Sequence, residues 1–318
     1  MIQTNFRNDS LNIKGKDFLS LIDYSPEIIQ GLLTKAIKIK NMTLLGESYK
    51  PLVGKNLGMI FEKSSTRTRV SFEVGMLQLG GNALYLNSSD LQMGRGESIH
   101  DTAKVLSQYL DGIMIRTFSH DIVTELAHYA SIPVINGLTD LFHPCQALAD
   151  LLTIQENKGE LAGLKVTYIG DGNNVAHCLM IACVKMGMDF VISCPKGYEP
   201  NESVIKMAIE LAKENKCTVK IENDPLLAAM NADVLYTDVW TSMGQEKENA
   251  MRLEVFSSYQ INERVADQAK SDYMFLHCLP AHRGEEVTSG IIDGSHSAVF
   301  EQAGNRLHAQ KALLSELL

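Results

Sequence analysis

Short apolar runs recur along this chain, and a longer amphipathic stretch follows each of them. Alternation of a buried strand with a helix is typical of parallel α/β proteins, because a parallel strand is reached only through a crossover connection. The runs are Leu57–Phe61, Ala83–Leu86, Gly112–Ile115, Pro133–Ile135, Lys165–Ile169, Asp189–Ser193, Thr218–Ile221, Val234–Thr237 and Met274–His277. The sequence therefore predicts an α/β protein of two doubly wound domains, each a mainly parallel sheet flanked by helices.

Chain length and one polar segment set the expected division into domains. At 318 residues the chain is long enough for two domains. Residues 157–163 are polar and contain glycines, and a new strand begins after them. We expect a first domain over residues 1–149 and a second over residues 150–302. Apolar residues at near-helical spacing predict a C-terminal helix, residues 303–318, that packs back on the first domain.

Composition excludes several classes of partner. The net charge of −9 argues against a nucleic-acid surface, which needs a basic stripe to neutralise phosphates. Uncharged runs are broken by polar residues and fall short of the ~20 apolar residues that a membrane helix requires, so no membrane partner is expected. The six cysteines are scattered, without a C-x-x-C pair, and the N-terminus is polar. We expect a reduced, cytoplasmic protein.

The segment Ser65–Arg69, Ser-Thr-Arg-Thr-Arg, follows the first strand and opens a helical stretch. The N-terminus of a helix carries partial positive charge and unpaired N–H groups, and Ser or Thr hydroxyls cap it. Arginine adds a planar fork that pairs two oxygens at once. The segment predicts an anion site for which phosphate is the natural guest. Taken alone, it leaves open a capped surface helix that carries arginines.

Polar side chains follow most of the other predicted strands as well. In open α/β sheets, ligands bind outside the carboxyl ends of the strands, where the strand order switches. The post-strand positions with polar or thiol side chains are Arg116, His143–Gln146, Gly170–Asn174, Asp238, Ser242–Gly244 and Cys278–Pro280. We expect these positions to form the functional site.

The sequence matches the motifs of common cofactor and metal sites poorly. Gly170–Val175 begins like a dinucleotide fingerprint, but valine occupies the small third position and the next strand ends without an acidic residue. No P-loop motif occurs, and no cysteines or histidines have the paired spacing of structural zinc. No cofactor and no metal are therefore predicted. Covalent catalysis by Cys278 is the weaker interpretation, because neighbouring residues in a strand, here His277, point to opposite faces.

Together the motifs resemble the aspartate/ornithine carbamoyltransferase (transcarbamylase) family, and within it the ornithine carbamoyltransferase branch. In chain order they are Ser-Thr-Arg-Thr-Arg at Ser65, Asp-Leu-Gln-Met-Gly-Arg-Gly-Glu at Asp90, Met-Ile-Arg-Thr at Met114, His-Pro-Cys-Gln at His143, Gly-Asp-Gly-Asn-Asn at Gly170, Asp-Val-Trp-Thr-Ser-Met-Gly at Asp238, His-Cys-Leu-Pro at His277 and Asn-Arg at Asn305. The aspartate branch resembles the first half but lacks the Ser-Met-Gly loop. Putrescine carbamoyltransferases are the nearest alternative and depart at that loop.

The resemblance implies a carbamoyl phosphate site in the first domain. The residues that would hold the phosphoryl group are Ser65, Thr66, Arg67 and Thr68. Arg116 and His143, with Thr68, would polarise the carbonyl oxygen. The groups that would hold the carbamoyl amide are Gln146, Cys278 with the backbone at Leu279, and Arg306. Gln92 would reach into a neighbouring subunit's site, which implies a homotrimer with shared active sites.

The resemblance also implies ornithine binding at Asn174, Asp238, Ser242 and Met243, with Asp238 and Cys278 facing the attacking amine. Ornithine carries a carboxylate and an α-ammonium besides its side-chain amine, so a site with an amide, a carboxylate and backbone N–H donors suits it. The expected reaction converts carbamoyl phosphate and L-ornithine to L-citrulline and phosphate, in arginine metabolism. The leaving phosphate can take the amine's proton, so no strong protein base is needed. Putrescine as acceptor, or an inactive binding protein, are the alternatives.

Overall fold

The computed structural model describes residues 11–242, 244 and 246–318. This part of the chain divides into two compact units. The first unit contains the described residues up to Cys145 together with Arg306–Leu318, and the second contains Gln146–Asn305.

In the first unit four parallel strands form one sheet, in the order β2-β1-β3-β4. The elements in chain order are α1 (Pro26–Leu44), β1 (Asn56–Phe61), α2 (Thr66–Gln78), β2 (Asn82–Asn87), α3 (Ile99–Tyr109), β3 (Gly112–Arg116), α4 (His120–Tyr129), β4 (Val134–Leu138) and α5 (Pro144–Lys158), of which the last runs on into the second unit. Strands β3 and β4 are buried along their whole length, as expected where helices cover both faces of a parallel sheet. The edge strand β2 is largely exposed.

In the second unit five parallel strands form the sheet, in the order β7-β6-β5-β8-β9. The elements are β5 (Lys165–Ile169), α6 (Asn174–Lys185), β6 (Asp189–Ser193), α7 (Glu202–Glu214), β7 (Val219–Ile221), α8 (Pro225–Ala229), β8 (Val234–Thr237), α9 (Asn249–Phe256), α10 (Glu263–Ala266), β9 (Met274–His277), α11 (Ser289–Ile292) and α12 (Val299–Leu317). Strand β8 and the edge strand β9 are both fully buried.

The predicted fold class is confirmed, and each predicted strand is present with ends that differ by at most a few residues. In both sheets the first strands are added toward one edge. The chain then returns to the middle and adds the remaining strands toward the other edge. The strand order therefore reverses between β1 and β3 and again between β5 and β8. These are the points at which doubly wound sheets bind ligands. The predicted site residues at these points are Ser65–Thr68, Arg116, Asn174 and Asp238.

A β-bulge lies beside Arg116. Ile115 pairs with Asn136 and Arg116 pairs with Leu138, so Gly137 is an extra residue in β4. A Cβ on Gly137 would lie 2.5 Å from Met114 Sδ and 3.2 Å from the Ile115 carbonyl oxygen, so a larger residue would press against β3. Because a bulge re-aims the neighbouring side chain, this glycine helps to set the direction of Arg116.

The C-terminal helix α12 packs on the first unit, as predicted. Its residue Glu316 forms an ion pair with Lys35 on α1. Lys311 Nζ donates to Thr43 Oγ1 at 2.9 Å and to Gln78 Oε1 at 2.8 Å, which ties α12 to both α1 and α2. Among the described helices, none is both long and apolar enough to cross a membrane.

Candidate active site

The N-terminus of α2 forms a capped anion site. The Ser65 hydroxyl accepts a hydrogen bond from the Thr68 backbone N–H at 3.2 Å, which caps the helix. Arg306, on α12, donates from Nη2 to Thr68 Oγ1 at 3.1 Å, so a second guanidinium joins the motif's own Arg67. Arg69 is directed elsewhere: its guanidinium stacks over the Tyr85 ring at 3.9 Å. Thr66 is the first residue of the helix.

His143 lies buried among cationic side chains of the same unit. Desolvation holds the pKa of His143 well below its usual range, and the positive charges of Arg306, Arg116 and Arg67 lower it further. The imidazole is therefore neutral near pH 7 and can donate one N–H. Arg116, at the end of β3, is only 7% exposed. A cluster of fixed guanidinium groups around a neutral imidazole suits a phosphate dianion and the adjoining carbonyl oxygen.

A second cluster lies at the switch point of the second unit. Asp238 follows β8 and is 6% exposed. Its Oδ1 accepts a hydrogen bond from Cys278 Sγ at 3.0 Å, and its Oδ2 accepts one from Asn173 Nδ2 at 2.9 Å. A carboxylate can only accept, so Cys278 acts here as a thiol donor rather than as the thiolate that a nucleophile requires.

The loop after β9 is braced by His277. The Leu279 backbone N–H donates to His277 Nδ1 at 2.9 Å, and His277 Nε2 lies 3.1 Å from Glu286 Oε1. Both ring nitrogens are thus engaged away from Cys278, which agrees with the sequence argument against a His277-activated nucleophile. Leu279 has φ +58°, a left-handed conformation that leucine seldom adopts, and the bond to His277 helps to hold it.

The remaining predicted site residues lie on several other elements of the two units. Gln146 is buried on α5 and donates from Nε2 to Asp150 Oδ1 at 2.8 Å. Asn174 is the first residue of α6, and Ser242 lies partly exposed after β8. Gln92 is exposed and begins a 3₁₀ helix after β2. Met243 lies outside the described residues. The roles predicted for these residues stay predictions.

Comparison with known proteins assigns the family. The family models that match are the carbamoyl-P binding domain of aspartate/ornithine carbamoyltransferase, over residues 16–156, and its Asp/Orn binding domain, over residues 162–317. The chain belongs to the aspartate/ornithine carbamoyltransferase family. The ornithine carbamoyltransferase of Anoxybacillus flavithermus is 64% identical over 97% of this chain and 98% of its own length. That of Bacillus subtilis is 60% identical over 96% of this chain and 95% of its own length.

Solved structures agree with the family assignment. The ornithine carbamoyltransferase from Pyrococcus furiosus superposes with a TM-score of 0.94 at 55% identity, covering 96% of this chain and 97% of that chain. An anabolic ornithine carbamoyltransferase from Campylobacter jejuni superposes with a TM-score of 0.89 at 41% identity, covering 94% of this chain and 97% of that chain. The match to an aspartate/ornithine carbamoyltransferase fold thus extends over nearly the whole chain.

The sequence analysis gave no role to Asn173 within the Gly170–Asn174 loop, and it missed Arg252. Asn173 Nδ2 donates to Asp238, and its Oδ1 accepts from the Val175 and Ala176 N–H groups as the cap of α6. An asparagine just before an apolar helix is a cap signal that could have indicated this role. Arg252 Nη1 donates to Asp171 Oδ2 at 2.9 Å, a non-local pair for which the sequence has no signal.

Two groups of side chains in the described residues could in principle hold a metal. One atom each from Asp238, His277 and Cys278 lie within 4.8 Å of one another, as do atoms of His282, Glu285 and Glu286. In the first group both His277 nitrogens are already engaged in the loop. The arrangement is that of an internally hydrogen-bonded thiol and carboxylate, and the prediction of a metal-free carbamoyltransferase stays a prediction.

Proposed function

We propose that this chain is an ornithine carbamoyltransferase, which forms L-citrulline and phosphate from carbamoyl phosphate and L-ornithine. The observation that carries the proposal is the cluster of Arg67, Arg116 and Arg306 around a neutral His143. Ornithine as the acceptor is supported by relatives of that name that are 56–64% identical over nearly their whole length. The first unit supplies the cationic groups of the proposed function, and the second supplies an acidic group, Asp238.

In the proposed mechanism the first unit binds and polarises carbamoyl phosphate. The residues proposed to hold the phosphoryl group are Ser65, Thr66, Arg67 and Thr68. Arg116 and neutral His143 donate to the carbonyl oxygen, where negative charge develops as the carbon becomes tetrahedral. A neutral imidazole whose pKa is lowered by its surroundings also polarises a substrate carbonyl in other enzymes. The groups proposed to hold the carbamoyl amide are Gln146, Cys278 with the backbone at Leu279, and Arg306.

The second unit is proposed to bind ornithine through Asn174, Asp238, Ser242 and Met243. The neutral side-chain amine attacks the carbamoyl carbon and forms the new C–N bond. The C–O bond to phosphate then breaks, and the departing phosphate takes the proton that the amine gives up. Asp238 and Cys278 face the amine and orient it, which supports attack without a dedicated protein base.

A citrulline assay tests the proposal directly. Purified protein supplied with carbamoyl phosphate and L-ornithine should release citrulline and phosphate in equal amounts, whereas L-aspartate should give no carbamoylated product. An inactive binding protein would bind carbamoyl phosphate in a calorimeter without forming citrulline. That result would refute catalysis while leaving the family assignment intact.

The pH dependence should follow the substrate amine rather than His143. The amine of ornithine resembles lysine, with a pKa near ~10.4, so only about one molecule in a thousand is neutral near pH 7.4. Because burial and nearby arginines keep the pKa of His143 well below its usual range, the imidazole stays neutral from pH 6 to 8. We expect kcat/KM for ornithine to rise by up to about tenfold per pH unit across that range.

The matched comparison is a His143→Gln variant assayed over the same range. Its profile should lie lower but run parallel to that of the wild type, because glutamine cannot titrate. A wild-type inflection between pH 6 and 7 that disappears in the variant would show that His143 does titrate there.

A homotrimer with shared active sites is also proposed. The edge strand β2 and the neighbouring helix α2 expose apolar side chains, of which Leu77 is 70% and Leu84 is 47% exposed. Large exposed apolar side chains on these two neighbouring elements favour a protein–protein interface at this edge of the sheet. Gln92 lies just beyond β2, which supports its proposed reach into the neighbouring subunit.

The free cysteines support the proposed cytoplasmic location, where thiols stay reduced.

Mixing two inactive variants tests the shared site. Gln92→Ala should lose roughly ten- to a hundredfold in kcat/KM, the effect of removing a hydrogen bond to a charged group. Arg67→Ala should be worse. Refolding the two together places an intact Arg67 beside an intact Gln92 in some mixed trimers, so activity should exceed the average of the parents. If mass spectrometry finds mixed trimers and activity stays at that average, Gln92 does not cross between subunits.

A further inference from the structure

A buried polar network lies behind Gln146, within the second unit. Asp150, one turn further along α5, is 1% exposed. Its Oδ1 accepts hydrogen bonds from Gln146 Nε2 at 2.8 Å and from Gln302 Nε2 at 2.7 Å. Its Oδ2 accepts one from the Tyr236 hydroxyl at 3.3 Å. Burying a carboxylate costs free energy unless hydrogen-bond donors satisfy it. The donors of such a network must therefore be held in place.

The carboxylate decides which way the Gln146 amide points. A glutamine side chain has a donor end and an acceptor end, whereas a carboxylate can only accept. The amide nitrogen of Gln146 must therefore face Asp150, which turns Oε1 to the other side. Oε1 is an acceptor, and an acceptor is what the NH₂ group of a carbamoyl compound requires.

The same carboxylate also anchors the loop after β9. Gln302 donates to Asp150 through Nε2, and its Oε1 accepts the His277 backbone N–H at 3.0 Å. His277 in turn accepts the Leu279 N–H on its ring nitrogen. A continuous hydrogen-bonded path thus runs from Asp150 to the backbone at Leu279, the second group proposed to hold the carbamoyl amide.

We propose that Asp150 is a positioning residue that makes this site selective for a carbamoyl group. It fixes the Gln146 amide directly, and through Gln302 it fixes the loop at Leu279, so that both present acceptor oxygens to the substrate NH₂. The inference rests on the proposed function. Acetyl phosphate has a methyl group in place of the NH₂, so it cannot donate a hydrogen bond to these acceptors and binds more weakly.

Asp150→Asn tests this role, because asparagine has the same shape but offers a donor as well as an acceptor. Gln146 is then free to turn its amide around. The Kd for carbamoyl phosphate should rise about ten- to a hundredfold. The inhibition constants of acetyl phosphate and inorganic phosphate should change by less than about threefold, whereas general damage to the site would weaken all three ligands together.

A double-mutant cycle asks whether Asp150 acts through Gln146. Asp150→Asn introduced into a Gln146→Ala background should cost clearly less carbamoyl phosphate affinity than it costs in the wild type, because only its path through Gln302 to the loop is still there to lose. Thr153→Val is the matched control. Thr153 is buried on the same helix and accepts a hydrogen bond from Asn305 Nδ2 at 2.9 Å, apart from the Asp150 network. Loss of the Thr153 hydroxyl should leave the ratio of carbamoyl phosphate affinity to acetyl phosphate affinity unchanged.

Gln302→Met is the second variant, and it decides the case if Asp150→Asn does not fold. It cuts the path to the loop and should also weaken carbamoyl phosphate selectively. Equal losses for carbamoyl and acetyl phosphate, or full additivity of Asp150→Asn with Gln146→Ala, would overturn the positioning role. Wild-type citrulline formation is measured alongside. Its absence refutes the proposed function, whereas normal wild-type turnover together with equal losses of carbamoyl and acetyl phosphate in Asp150→Asn refutes only this inference.

Discussion

Ornithine should exceed putrescine by about 10⁴-fold or more in kcat/KM when carbamoyl phosphate is the donor. The two amines present the same nucleophile, but putrescine lacks the α-carboxylate that the Ser242–Gly244 loop is proposed to bind. A site built to hydrogen-bond polar groups rejects an analogue without them by this factor, because its own buried groups are left unpaired. The measurement is kcat/KM for each amine at one fixed, saturating concentration of carbamoyl phosphate.

Two analogues, each lacking one part of ornithine, locate the source of that discrimination. 2-Aminopentanoic acid keeps the α groups and lacks the side-chain amine, so it should compete with ornithine. Butylamine keeps only the amine and should compete poorly. Putrescine turnover within tenfold of ornithine would move the protein to the putrescine class, and strong competition by butylamine would show that the α groups are not read.

The strands were predictable because burial on both faces leaves an uninterrupted apolar run in the sequence. Gly112–Arg116 and Val134–Leu138 are buried at every position, and each overlaps a predicted strand. Helix α12 was predictable for a related reason, since its apolar residues recur at near-helical spacing. The post-strand positions of the site followed from the same pattern, because parallel topology brings the carboxyl ends of the strands to one edge.

Contacts between distant parts of the chain were not predictable, because they leave no local pattern. The glycines of the Gly170–Asn174 loop resemble a nucleotide-binding loop in sequence. In the structure a Cβ on Gly172 would lie 2.2 Å from Pro200 N, so close packing against that segment requires this glycine. The bulge at Gly137 and the bond from Asn173 to Asp238 are likewise set by tertiary register rather than by neighbouring residues.

The charge state of His143 could not be predicted from the sequence either. A histidine after a strand can titrate near neutral pH or stay neutral, and its surroundings decide which. Here burial and three guanidinium groups from separate elements, α2, β3 and α12, all lower its pKa. The sequence placed these residues at a common site but could not show that they act together on one imidazole.

Arg116→Ala should lower kcat by about 10²- to 10³-fold, because a donor fixed at a developing oxyanion commonly contributes ~3–4 kcal/mol. Arg116→Lys should recover only part of this loss, since an ammonium restores the charge but not the planar fork. Arg264→Ala, on the exposed surface of α10, is the matched control and should stay within about twofold of the wild type.

A second readout separates the catalytic role of Arg116 from a structural one. Arg116 is one of the charges that lower the pKa of His143, so its removal should let that pKa move up toward the ordinary value, although burial still depresses it. Titration of His143 by NMR in the variant measures this shift. A folded Arg116→Ala protein with near-normal kcat would remove Arg116 from the proposed oxyanion site. Loss of kcat without any change at His143 would instead mean that the two side chains do not share one electrostatic environment.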